Sequence, residues 1–199
     1  PIWLIQKVRE CMLKRHSALD ANYLPGSYSS ERKIGLQFKE FSNLQLIQIA
    51  SWPNTLSETE NFLKKEFTID NLPSFNKGSI TEKYSLWRME PLKWWLLQKE
   101  INYPSELGTT LDLSHAFTGI IISGDQATLL LNRHLPIDLR ENIFPVASSA
   151  SSGIHHVSVK LLKIHTNTYY LFIPRGFALS IWEILQETAK QFGYEILER

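Results

Sequence analysis

One order of elements is written twice along this chain. Gly35-Leu36-Gln37-Phe38 alternates like a strand, and Leu44–Ile49 reads as a second strand. Thr55-Leu56-Ser57-Glu58 has the spacing of a capping box, and a helix opening there turns Leu56, Phe62, Leu63 and Phe67 inward. Tyr84–Trp87 and Trp94–Leu97 follow as strands, with Pro91 at the turn between them. The order then returns. Thr109–Leu113 and Thr118–Ile122 read as strands, and Ser123-Gly124-Asp125-Gln126 as another capping box. The second helix turns Ala127, Leu130 and Leu131 inward and is limited by Pro136. Val157–Leu161 and Tyr169–Ile173 close the unit around a turn at Thr166-Asn167. A chain that repeats strand–strand–helix–strand–strand belongs to the α+β class, its two units pairing their sheets into one pseudo-symmetric body. The strand–helix–strand alternation of a doubly wound nucleotide fold is missing.

The flanks complete the expected organisation: an N-terminal helix or arm and loop over residues 1–33, then a domain over 34–199 with half-repeats at about 34–99 and 109–199. Ile2, Ile5, Val8 and Met12 lie near helical spacing, which suits a surface helix or a docking arm. Residues 17–33 and 145–153 are rich in turn formers or small residues and read as loops. From Phe177 the residues Ile181, Trp182, Ile184, Leu185, Thr188, Ala189 and Phe192 trace one broad apolar helix face, and Gly193 stands where a C-cap glycine belongs.

Composition narrows the function classes. A net charge of +1 gives no bulk signal for nucleic acid or for an anionic membrane. Cys11 is the only cysteine of the 199 residues, so an internal disulfide and a multi-cysteine metal site are excluded. No apolar run approaches the ~20 residues of a membrane span. Pro1–Ile5 lacks a basic stretch ahead of an apolar one, so no secretory signal is read there, although a start at Pro1 suggests that the true beginning is missing. The cytoplasm is the expected compartment.

Several residues invite a chemical reading. Asp112 and Ser114 share a strand face, but no histidine completes a nucleophilic set, and a structural hydrogen bond at a strand end is the plainer reading. His155-His156 would point to opposite faces at the start of a strand, with one ring half-buried. His115, His134 or His165 could supply a third metal ligand, yet no zinc spacing is present. Arg133, Arg140, Lys160, Lys163 and Arg175 lie in or beside the stretch from Glu141 to Glu183, which contains no acid between its ends. They read as a basic wall for an acidic partner or an anionic tail, or as solvated charges. Trp52, Trp87, Trp94 and Trp95 read as core and interface, or as an aromatic platform. Gly124 at a helix N-terminus suggests an anion site that Asp125 beside it would oppose.

The second unit carries a recognisable pattern. Leu111-Asp112-Leu113-Ser114, Ile122-Ser123-Gly124-Asp125-Gln126-Ala127, Leu130-Leu131 and Ile137-Asp138 together resemble the folate-binding domain of the glycine-cleavage aminomethyltransferase. Further segments resemble the sarcosine oxidase gamma subunit family: Leu46-Ile47-Gln48-Ile49-Ala50-Ser51-Trp52-Pro53, Glu90–Leu97, Ile137-Asp138-Leu139 with Phe144-Pro145, and Ile173–Leu185 running on to Gln191-Phe192-Gly193. Order and spacing agree from about residue 44 to 193.

That resemblance implies an aminomethyltransferase-like, folate-binding-domain-like fold and a small subunit of a heterotetramer that demethylates sarcosine oxidatively to glycine. The one-carbon unit leaves as formaldehyde or passes to tetrahydrofolate. FAD, FMN, NAD, zinc and tetrahydrofolate are implied for the other subunits, and no cofactor, metal or catalytic residue for this chain. The implied partners are the alpha subunit directly and the beta and delta subunits in the complex. The carboxylate of the transferase relatives is expected near Val157 or Ser158, neither of which is acidic. Ser158 cannot act as a base near neutral pH. The expected function is therefore a non-catalytic assembly subunit. Two rivals stay open: the same subunit in an N-methylglutamate dehydrogenase, and a free-standing tetrahydrofolate-binding one-carbon protein.

Overall fold

The computed structural model describes residues 16–29 and 33–199, so the helix expected at residues 2–15 lies outside the described residues. In chain order the elements are strands β1 (Gly26–Tyr28), β2 (Leu36–Glu40) and β3 (Leu46–Ser51), helix α1 (Leu56–Phe67), strands β4 (Gly78–Ile80), β5 (Ser85–Glu90), β6 (Lys93–Leu97), β7 (Gly108–Asp112) and β8 (Phe117–Ser123), helix α2 (Ala127–Asn132), strands β9 (Ser149–Ile154), β10 (Val157–His165) and β11 (Thr168–Pro174), helix α3 (Ala178–Ala189) and strand β12 (Tyr194–Ile196). The fold is α+β, built on two sheets.

The seven-stranded sheet runs β1-β12-β2-β8-β11-β10-β9, and the five-stranded sheet runs β4-β5-β6-β3-β7. Each unit gives its first strand to the other unit's sheet. β2 pairs with β8, and β7 pairs with β3. Read from those strands, β2-β8-β11-β10-β9 and β7-β3-β6-β5-β4 are one topology twice. The two-fold relation extends to single hydrogen bonds. The Gly78 amide donates to the Ala147 carbonyl and the Ser149 amide to the Asn76 carbonyl, both at 2.9 Å, around a bridge between Lys77 and Ser148. The Arg88 amide donates to Lys77 and the Lys163 amide to Ser148, again both at 2.9 Å. Asn76 and Ala147 both take left-handed backbone, φ 59° and 63°.

Period-two alternation sorts the strand residues into three apolar layers. Leu46, Trp87, Met89, Trp95 and Leu97 face Leu162, Ile164 and Phe172 between the sheets. Ile49, Leu86, Trp94 and Leu96 face Leu63 and Phe67 of α1. Leu36, Phe38, Ile120, Ile122, Leu161 and Leu171 face α2 and α3, through Leu130, Leu131, Ile181, Trp182 and Leu185. Leu19 and Tyr23 of the N-terminal described segment are buried in that same layer. Trp95 packs against Phe172 and Phe117 with ring centroids 5.6 and 5.2 Å apart, a contact between sheets beyond plain burial.

Four local expectations are corrected. Residues 149–153, expected as loop, lie in strand β9; small Ser, Ala and Gly side chains carry little strand signal, and six residues of register with β10 supply the order. His155 and His156 are not on a strand. They are the two-residue turn between β9 and β10, both with positive φ (45° and 70°), the conformation that a tight hairpin needs. Neither capping box closes. The Thr55 hydroxyl donates to the Leu107 carbonyl at 2.6 Å instead of capping α1, and Ser123 ends β8 rather than opening α2. Phe177, expected inward, sits in a 3-10 turn before α3 and is exposed.

Candidate functional site

A half-open cleft of about 500 Å³ lies where both units cross from one sheet to the other. Its walls are Glu40 with the β2–β3 crossover, Ser114 after β7, Phe117–Gly119 at the start of β8, residues 16–18, and Arg175 just after β11. The two crossovers enter it in the same way. The Phe41 amide donates to Gly119 at 3.0 Å, and the Leu113 amide donates to Leu46 at 2.8 Å. Each crossover carries an acid-x-Ser turn. Asp112-Leu113-Ser114 was legible in the sequence. Its partner Glu40-Phe41-Ser42 was missed, and matching the two repeats residue by residue would have found it.

The geometry assigns these groups different roles. The Ser114 amide donates to Asp112 Oδ1 at 2.8 Å, and Ser114 Oγ accepts from the Leu46 amide at 3.0 Å, so this pair holds the strand end together. Glu40 is buried, 4% exposed, beneath the cleft. Its carboxylate accepts from Ser17 Oγ and from Arg199 Nε at 2.8 Å and Nη2 at 2.7 Å. Arg199 also pairs with Asp20 at 2.6 Å and lies over the Tyr23 ring, while the Tyr23 hydroxyl accepts from the Glu40 amide. The Arg199 hydrogen bond holds the Asp20 carboxyl below its ordinary range. This network ties the C-terminal residues to the cleft floor.

The basic residues of the second unit do not form one wall. Lys163 is in the core, 1% exposed, donating to Glu141 Oε2 at 2.6 Å and to the Phe144 carbonyl at 2.8 Å. That hydrogen bond depresses the Glu141 carboxyl. Arg140 pairs with Asp138, Arg133 with the Gln191 amide oxygen, and Lys160 with Ser151 Oγ at 2.6 Å. Arg175 alone of the five lines the cleft, where its guanidinium donates to the His16 carbonyl.

The other sequence candidates scatter. Trp87, Trp94 and Trp95 are core, and Trp52 is exposed beside Leu107, so no aromatic platform forms. His155 and His156 are exposed on their turn. His134 accompanies His155 with ring centroids 6.4 Å apart and shares a 2.9 Å hydrogen bond with Thr188; burial, then the neighbouring His155 and Arg133, push its pKa down. Among the described residues no group of three or more His, Cys, Asp or Glu could hold a metal ion, and no helix is long and apolar enough to cross a membrane. Val157 and Ser158 open β10 beside the hairpin turn and do not line the cleft.

No family model matches the chain, and no curated protein sequence matches it. Solved structures do. A chain of the heterotetrameric sarcosine oxidase from Corynebacterium sp. U-96, in complex with pyrrole 2-carboxylate, superposes with a TM-score of 0.72 at 17% identity, covering 90% of this chain and 97% of that one. The glycine cleavage system aminomethyltransferase T from Bartonella henselae superposes with a TM-score of 0.61 at 14% identity, covering 83% of this chain but 48% of that one. The likeness at these identities establishes the fold.

Proposed function

We propose that this chain, which has the aminomethyltransferase-like fold, is the gamma-type subunit of a heterotetrameric sarcosine oxidase-type flavoenzyme. Its task is assembly rather than chemistry. One observation carries the reading. The fold accounts for nearly the whole of a chain taken from such a heterotetramer, but for only about half of the transferase. A likeness that takes in nearly all of that subunit chain favours a subunit.

The site supports an architectural role. Glu40, the acid in the cleft wall, is committed to Ser17 and Arg199. A general base must reach the proton that it takes, and Glu40 is buried with its carboxylate turned to Ser17 and Arg199. The residues at the position expected to carry the transferase carboxylate, Val157 and Ser158, do not fit a one-carbon transfer base. In this reading FAD, FMN, NAD, zinc and tetrahydrofolate belong to the alpha, beta and delta partners, with alpha the direct contact.

Capture of the tagged full chain from its own cells tests the proposal. The expected eluate carries stoichiometric partner chains, a flavin absorbance spectrum and sarcosine oxidation. A chain that elutes alone, without flavin or activity, contradicts it.

A further inference from the structure

We infer that the crossover cleft is a binding site for a small carboxylic acid, with Arg175 as the anchor of its carboxylate. The inference stands apart from the subunit reading, because it concerns a ligand of the isolated chain.

Charge pairing carries the argument. The Glu40 carboxylate, the buried acid in the cleft wall, is taken up by Arg199 and Ser17 and makes no ion pair with Arg175. Among the described residues no carboxylate lies within ion-pair distance of Arg175, whose guanidinium donates to the uncharged His16 carbonyl. A guanidinium presents five donors in a planar fork matched to a carboxylate, and among the described residues the His16 carbonyl is the one acceptor that engages it.

The anchor is also held in place. The Arg175 amide donates to the Ala116 carbonyl at 2.9 Å, in the crossover that forms the opposite wall. Apart from Glu40 and His16, the remaining polar lining consists of uncharged groups, including Ser42, Asn43, Gln45 and Thr118. These hydroxyls and amides can hydrogen-bond the remainder of a small acid. About 500 Å³ is within the range of small-molecule sites, with room for an acid of amino-acid or dipeptide size.

Calorimetry on the full chain tests this, with glutarate as the probe and its uncharged diamide and inorganic phosphate as controls. Saturable glutarate binding is expected, with a Kd of about 1 mM or tighter, and none for the diamide. Arg175→Gln keeps the backbone bond to Ala116 and a donor toward His16 but loses the charge, so it should weaken glutarate about 10-fold or more without moving the melting temperature. Arg175→Lys should recover only part, because an ammonium cannot make the fork. No saturable binding up to about 20 mM, or binding unchanged in Arg175→Gln, overturns the inference. Phosphate binding as tightly as glutarate overturns the carboxylate assignment. If Arg175→Gln instead weakens assembly with partner chains while the isolated chain binds no acid, the carboxylate comes from a partner's side chain and the small-molecule site is refuted.

Discussion

Arg88 and Lys163 hold equivalent places in the two units, and the molecule treats them differently. Arg88 faces Trp94 across the β5–β6 ladder, 5.1 Å from its ring, and pairs with Glu60 at 3.0 Å. Lys163 faces Tyr169 across β10–β11, 5.6 Å from its ring, and pairs with Glu141 at 2.6 Å. The device is the same in each: a cation over an aromatic ring with an acid at its outer end. In the first unit it stands at the rim of the α1 layer. In the second the cation has sunk into the core, where the Phe144 carbonyl takes part of its hydrogen bonding. A residue that reads in sequence as part of a charged surface is thus an internal strut. The repeat shows this, and charge counting does not.

The sheet edges differ in the same spirit. β2 is covered by β12 in parallel and then by β1, and its end is locked through Glu40 and Arg199. The equivalent strand β7 has β3 on one side, and Thr109–Asp112 are exposed. The second unit has therefore taken up more of the chain around it, and its interactions should weigh more in folding.

Mutations can break that comparison. Lys163→Ala should cost the most, about 2–4 kcal/mol in urea unfolding, because it opens a cavity and orphans the Phe144 carbonyl. Arg199→Ala should follow at about 2 kcal/mol, since it leaves the Glu40 carboxylate buried without its cation. Arg88→Ala, the mirror of the first change, should cost only about 1 kcal/mol, because its partner Glu60 can return to water. Equal losses for Arg88→Ala and Lys163→Ala would end the argument that burial separates the two units.

The smallest effect belongs to His134. Its folded pKa is pushed down by burial, so the unfolded chain takes the proton first as pH falls. Stability should be fully present above the ordinary histidine value of about 6.5 and decline as pH drops through the folded pKa. The half-exposed ring keeps the decline under about 1 kcal/mol. His134→Gln, which can keep a bond to Thr188, should flatten it between pH 5 and 7.5.

Much of this was legible in advance. The strands β2, β3, β5 to β8, β10 and β11, the inward faces of α1 and α2, and the burial of three tryptophans follow from period-two and helical spacing, whereas β1, β4 and β12, of three residues each, carry no such signal. The fold class follows from the repetition. Other features were hidden for identifiable reasons. β9 is built from Ser, Ala and Gly, whose order comes from pairing and not from propensity. The His155-His156 turn lacks the Asn or Gly that usually announces one. Thr55 has the right residue for a cap, but a nearby carbonyl claims its hydroxyl. The cleft was invisible because Arg175 and the two crossovers meet only when the sheets exchange first strands. The second acid-x-Ser turn, Glu40-Phe41-Ser42, was the signal available for it.

The subunit role is tested most directly by reconstitution. Sarcosine-dependent formaldehyde formation should be measured for the captured assembly, for the assembly stripped of this chain, and after the purified chain is added back. The account predicts activity in the assembly, loss on stripping, recovery on addition, and none at any concentration of the chain alone. Turnover by the isolated chain, or a captured chain that brings no flavoenzyme with it, would contradict it.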